Sequence, residues 1–325
     1  MPAPRPHAED DALGSLAEIL QEQGYFVDLE EFGARRSGEP WLAGYAGLSV
    51  VAALSVYVLP LLTALLGVAA MVLHARDSEG RPLLRRELET GRNVVARAPA
   101  ASRPALVVVA PASAAPRRFS DSSLRALSLA LQAGMAAVAA GGAAAWIAEA
   151  EAELPAWTAA CGAAAAASVG LLAIALYGSR ARAAIEHGRV ALDILARLAP
   201  ELREEPVWLV VTGGRRAGMA GMQAFVAGHP ETGGAWWLNL EPGSDPGVRA
   251  ASEEGTWRER RADRSLLGAA EEAGAEVAPY RGVPTDATFL LAGRRRALTL
   301  VVGSVAEGTR VALATARAAL ARARL

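Results

Sequence analysis

Apolar residues at Leu13, Leu16, Ala17 and Leu20 recur at helical spacing and predict a helix over residues 12–23, with Gly24 placed to end it. Residues 25–32 then alternate as an edge-like strand. Residues 93–98 (Asn-Val-Val-Ala-Arg-Ala) and 105–110 (Ala-Leu-Val-Val-Val-Ala) read as two further strands, and the unbroken apolar run of the second predicts burial on both faces. A helix over 183–198 precedes the strand 207–212 (Val-Trp-Leu-Val-Val-Thr). That strand runs through Gly213 and Gly214 into a helix-like Ala/Met/Gln stretch, a strand-to-helix turn of the kind where open α/β sheets place ligands. Strands over 236–241, 276–280 and 297–303 and a closing helix over 311–324 complete the pattern. Strands alternating with helices predict an α/β fold with a mixed, largely parallel sheet flanked by helices.

Four long apolar stretches interrupt this pattern. Residues 41–74 hold no charged side chain, and one helix of that length would be roughly 50 Å long, well beyond a hydrocarbon core of about 30 Å. Pro60 near the middle divides the run into two short spans, a shallow or tilted hairpin. Residues 126–145 and 156–178 are two more uncharged runs around an acidic loop at 149–155, and they predict a second transmembrane hairpin. Gly134, Gly141, Gly142, Gly162 and Gly170 suit close helix contact, and Trp41, Trp146 and Trp157 sit where interfacial residues belong. Arg35, Arg36, Arg76 and Arg81 flank the first hairpin on the same side that Arg117, Arg118, Arg125, Arg180 and Arg182 flank the second. The expected location is the cytoplasmic membrane, with the α/β domain in the cytoplasm. The predicted organisation is an α/β domain in three parts, 1–40, 76–122 and 180–325, with hairpins inserted at 41–75 and 123–179.

Composition narrows the function. The 33 basic residues of the 325 are all Arg, which removes Schiff-base lysines and the lysine of a phosphate loop. A formal net charge of −1 lacks the basic excess of a nucleic-acid binder, so no nucleic-acid partner is expected. Cys161 is the single cysteine, and it allows neither an internal disulfide nor a cysteine-rich metal cluster. The first 40 residues are polar and acidic, without the pattern of a cleavable signal peptide.

The helix-Gly-strand opening through Phe32, the Asn-Val-Val-Ala-Arg strand at Asn93, Val-Trp-Leu-Val-Val-Thr-Gly at Val207, Trp-Leu-Asn-Leu-Glu at Trp237 and Pro-Thr-Asp-Ala at Pro284 occur in one order. Together they resemble peptidase family M twenty-eight, the co-catalytic di-zinc aminopeptidases, in its bacterial branch with inserted transmembrane helices. The resemblance implies two zinc ions held by His and carboxylates and a Glu acting as general base. Matched to that pattern, Pro111 and Ser113 stand at the first His and its neighbouring Asp, and Ala184 at the bridging Asp. Arg215 stands at the general base, Arg216 at the adjacent zinc-binding Glu, and Glu241 at the next Asp; residues 304–310 lack the last His. The resemblance therefore implies a degenerate member, without catalytic residues, metal or zinc cofactor.

The reading is a membrane-embedded pseudopeptidase that acts as a binding or scaffold module for an unknown protein or an anionic small molecule, with the lipid bilayer as a further partner. One alternative is an active metal-dependent hydrolase with a rearranged site using His187, Glu186, Glu241 and Asp286. The other is an anion-binding module in which Arg215 and Arg216, with Glu241 and Asp286 beside them, hold a carboxylate or phosphate. Blander readings stand next to these. The arginines neutralise the carboxylates or reach solvent, and Asp286 bonds its own backbone in a Pro-Thr-Asp turn. His229 is a loop residue, Trp236 and Trp237 pack on opposite faces of a strand, and Arg310, Arg317, Arg322 and Arg324 lie on a solvated helix face or lean on lipid headgroups.

Overall fold

A computed structural model describes residues 8–34, 48, 51–52, 54–56, 58, 59–78, 89–113, 121–148, 156–158, 160–163, 181–214, 219–255, 258–281 and 284–324. The predicted first helix is α1 (Ala8–Glu22), whose Leu13, Leu16, Ala17 and Leu20 are buried, and Gly24 follows at φ +87°, a left-handed value that a Cβ would strain. Next come β1 (Phe26–Ala34), α2 (Pro60–Ser78), β2 (Glu89–Arg97), β3 (Leu106–Pro111), α3 (Asp121–Ala148) and α4 (Ala181–Leu202). The remainder is β4 (Val207–Thr212), α5 (Ala220–Gly228), a short 3-10 turn Pro230–Gly234, β5 (Trp236–Pro242), β6 (Val248–Gly255), β7 (Arg260–Arg261), α6 (Arg264–Glu272), β8 (Glu276–Arg281), α7 (Asp286–Ala292), β9 (Arg296–Val302) and α8 (Val305–Ala323).

The strands make one nine-stranded sheet in the order β1-β2-β4-β3-β5-β9-β6-β7, with β8 paired to β6. Its centre, β4-β3-β5-β9, is parallel, and β6 and β8 are parallel too. The β1-β2, β2-β4, β6-β9 and β6-β7 pairings are antiparallel, so the sheet is evenly mixed rather than largely parallel. β2 and β3 are consecutive in the chain but not neighbours, since β4 inserts between them. Every residue of β3, β4 and β5 is buried, as expected of strands covered on both faces. Helices α1, α4, α8 and α6 pack in a row on one face, and α5 and α7 lie on the other. β6, β7, α6 and α7 have no counterpart in the sequence reading. α8 begins at Val305, behind Ser304, rather than at residue 311.

Of the apolar stretches, α3 contains the one described helix long and apolar enough to cross a membrane, Leu129–Ile147, and Pro60–Leu73 of α2 is a shorter apolar helix. Two complete hairpins are therefore not established, and most of 41–50 and all of 164–180 fall outside the described residues. α2 and α3 run antiparallel in tight contact. A Cβ at Gly142 would stand 2.6 Å from the Ala64 nitrogen and 2.8 Å from the Pro60 oxygen, and one at Gly67 2.9 Å from the Ala139 nitrogen. Leu61, Leu62, Leu65, Val68 and Val72 of α2 and Leu129, Trp146 and Ile147 of α3 point outward, exposed.

Candidate functional site

The carboxyl ends of the parallel strands converge where the order reverses around β3, the place at which α/β sheets open a crevice. β4 ends on Thr212, buried, whose hydroxyl donates to Asp286 Oδ2 at 2.6 Å. Asp286 is the first residue of α7, and the cap of that helix is Thr285, which accepts from the Thr288 N–H. Asp286 thus joins β4 to α7 over 74 residues.

Beyond Thr212 the chain is pinned by Asn93 of β2. Its Oδ1 accepts from the Gly213 N–H at 3.1 Å and its Nδ2 donates to the Gly221 carbonyl at 2.9 Å, so one buried amide holds both flanks of the strand-to-helix turn. Gly221 is required there, because a Cβ would lie 2.3 Å from the Gly213 oxygen. Gly214 (φ +62°) and Met219 (φ +61°) bracket the turn in left-handed conformations. Arg215 and Arg216 lie between them, outside the described residues, so neither their anion-binding role nor their pairing with Glu241 or Asp286 has a structural description.

Glu241, near the end of β5, is buried and accepts from the Tyr280 hydroxyl at 3.2 Å. Beneath α7 lies a group that sequence reasoning missed, Glu254 of β6. Its side chain is fully inaccessible, and Oε2 accepts from the hydroxyls of Thr285 at 2.5 Å and Thr288 at 3.4 Å. Thr299 of β9 joins the same layer and receives the Asn239 amide at 3.0 Å. Burial pushes the Glu254 carboxyl from its ordinary 4.5 up to about 7. The Glu241 charge pushes in the same direction, whereas the Thr285, Thr299 and Thr288 hydroxyls oppose it. No local pattern flags Glu254. β6 has a register shift between Ala251 and Glu254, so simple alternation does not say which way Glu254 faces.

A zinc pair can be tested against these residues. Pro111 closes β3 opposite Thr212 and offers no donor atom, and Ala184 in the first turn of α4 offers none. Glu241 is a carboxylate already engaged by a phenol. Among the described residues no group of three or more His, Cys, Asp and Glu could hold a metal ion. The described part of the site does not fit the metal pair. Glu186 and His187 lie on α4, but their side chains are outside the described residues.

His229 proves more than a loop residue. It sits between α5 and the 3-10 turn, nearly buried, with Nε2 2.7 Å from Glu30 of β1 and Nδ1 3.0 Å from Glu231. Its ring packs at a tilt against Phe225, centroids 4.7 Å apart, and edge-to-face against Trp208 at 5.2 Å. Trp237 closes the same aromatic cluster, while Trp236 lies under Arg296 at 4.5 Å, so both tryptophans are packing residues. The arginines of the last helix are tied to the protein. Arg310 donates to the Ala273 carbonyl, Arg317 and Arg324 meet Glu201 and Glu205, and Arg322 reaches Ser265. With these contacts Arg310, Arg317 and Arg324 still remain more than half exposed, as expected of a solvated helix face.

No family model matches the chain, and no curated protein does. Among solved structures, it is similar to the LapA aminopeptidase of Legionella pneumophila, at 10% identity and TM-score 0.42, over 96% of this chain and 62% of that one. A glutaminyl cyclase of Bacteroides thetaiotaomicron, bound to N-acetylhistamine, is similar at 10% identity and TM-score 0.42, over 97% of this chain and 90% of that one. The chain therefore spans less than two thirds of the Legionella protein. Likeness at this level says nothing of ligands or chemistry here.

Proposed function

We propose that the chain is a membrane-embedded protein of zinc-aminopeptidase type that has given up metal-dependent catalysis and works as a binding or scaffold module, with the α/β body on the cytoplasmic side. The observation that carries this reading is the state of the strand ends. The carboxylates kept there, Glu241 and Asp286, are buried and engaged by Tyr280 and Thr212, while Pro111 and Ala184 contribute no ligand. A hydrolytic metal site needs deprotonated ligands and an open coordination position. A closed hydrogen-bonded edge serves binding geometry instead. The outward apolar residues of α2 and α3 support the membrane part, since they would otherwise expose a large patch to water. The partner is a protein or an anionic small molecule.

Metal analysis of the purified full chain, run beside hydrolysis of an aminoacyl chromogenic substrate, tests the reading. Less than stoichiometric zinc and no turnover are expected. Stoichiometric zinc together with activity that disappears in Glu241→Ala would overturn it in favour of a rearranged metal site.

A further inference from the structure

The two turns of the apolar region differ in kind. The second carries Glu149, Glu151 and Glu153 in its sequence and belongs in water. The first, at the start of α2, has no charged residue, and the nearest ones are Arg36 and Glu39 on one side and Arg76 on the other. Its position follows from the packing of α2 on α3. The Pro60 carbonyl lies against Gly142, so the turn stands level with the last turn of α3, where Trp146 and Ile147 are 58% and 75% exposed. Val58 is 77% exposed, with Leu54, Leu59 and Trp157 exposed as well, and together they make an apolar tip.

A turn can rest in hydrocarbon only if its polar groups are satisfied from within. Several polar groups of this turn are satisfied from within. The Ser55 carbonyl accepts from the N–H groups of both Val58 and Leu59, and the Leu59 carbonyl accepts from Thr63. The Ser55 hydroxyl lies 2.8 Å from the Ala52 carbonyl and 2.8 Å from the Thr63 hydroxyl, which is fully buried. The 19 residues of Leu129–Ile147 measure about 28 Å, one hydrocarbon thickness. That length puts the tip at the far boundary of the bilayer rather than beyond it.

We propose that the turn before α2 is a lipid-embedded cap: Leu54, Val58 and Leu59 are covered by acyl chains and headgroups of the far leaflet, so this turn faces lipid and not the opposite aqueous side. This rests on the membrane reading above. The test uses the full chain with Cys161→Ala and single cysteines Val58→Cys and Glu151→Cys, in intact cells and then in reconstituted vesicles. A membrane-impermeant maleimide should label Glu151→Cys from outside and Val58→Cys at least about tenfold more slowly. A bimane on Val58→Cys should be quenched by brominated lipid. Equal labelling rates would place the turn in water and overturn the inference while leaving the membrane reading intact. Absence of quenching would mean that protein, such as a second copy, covers the tip, and would overturn it too. Release of the chain by alkaline carbonate would overturn the membrane reading and this inference with it.

Discussion

The α/β body and the α2–α3 pair differ in how much apolar surface they leave exposed. In the body, large apolar side chains such as Trp208, Trp237, Ile194 and Leu195 are inside, and several of the buried polar groups, Glu254, Thr285, Thr288, Thr299 and Asn239, form a hydroxyl-carboxyl layer under α7. In the helix pair the closest backbone approach is at Gly67 and Gly142; Leu131, Met135 and Val138 of α3 are buried as well, while Leu61, Leu62, Leu65, Val68 and Val72 of α2 and Leu129, Trp146 and Ile147 of α3 face out. Water drives the first arrangement, because burying apolar area is favourable only when the alternative is exposure to water. Between helices in lipid that driving force is missing, and close backbone approach through small residues takes its place. The difference teaches that exposure alone does not mark a defect. An outward leucine costs solubility in water but not in a bilayer.

The most severe way to break this contrast is to put a large side chain into the helix contact. Gly142→Leu must displace the backbone of Ala64 and Pro60, not merely a flexible side-chain end, so separation of α2 from α3 and a loss of about 3 kcal/mol or more are expected. Thermal unfolding in detergent, followed by a pair of fluorophores on the two helices, checks it. Leu65→Ala on the outward face of α2 should leave the same melt almost unchanged, and equal losses from the two would erase the contrast.

A smaller effect is expected in the body's polar layer. The Glu254 carboxyl lies higher in the folded chain than its ordinary 4.5, at about 7, because of burial. Its contribution to stability is therefore complete below pH 4.5 and is lost as pH rises through about 7. Glu254→Gln keeps an acceptor for Thr285 and cannot ionise. The variant should be flatter in stability between these limits and, at pH 8, more stable than the natural chain by roughly 2–3 kcal/mol. Urea melts at pH 5 and pH 8 read this directly, and a variant that keeps the natural pH slope would show that another group sets it.

The smallest change is expected at the surface. Arg317→Ala removes an ion pair with Glu201 whose two side chains are each more than half exposed, and a shift within about 0.5 kcal/mol is expected. Binding of the chain to anionic against neutral vesicles should be unaltered by it. A marked fall on anionic vesicles alone would restore the lipid-facing role of α8.

Much of the body is legible in the sequence because its elements have local causes. β4 coincides with 207–212, since a β-branched and aromatic run bounded by Gly213 can do little else. α1 is set by the spacing of its leucines and by Gly24. Around the predicted strand 276–280, β6 and α7 escape the sequence pattern for an equally physical reason. β6 carries Ser252, Glu253 and Glu254, poor strand formers taken alone, and becomes a strand by pairing with β9 and β8. α7 is short and opens on Pro-Thr-Asp, which reads as a turn until Thr285 is seen capping a helix. The site shows the same division. Glu241 and Asp286 are singled out through the family resemblance, but Glu254, and the use of Asn93 as a clamp on the turn, depend on partners more than a hundred residues away or on a bulge.

The sequence by itself determined the α/β class, the buried central strands and the long uncharged runs, because composition and period are carried within a few neighbouring residues. Only the tertiary structure decided that β4 lies between β2 and β3, that Thr212 meets Asp286, that Glu254 lies sealed under α7, and that Gly142 faces Pro60. Each of these joins residues distant in the chain. Their energies come from desolvation and close contact, which exist only once the sheet and helices have come together.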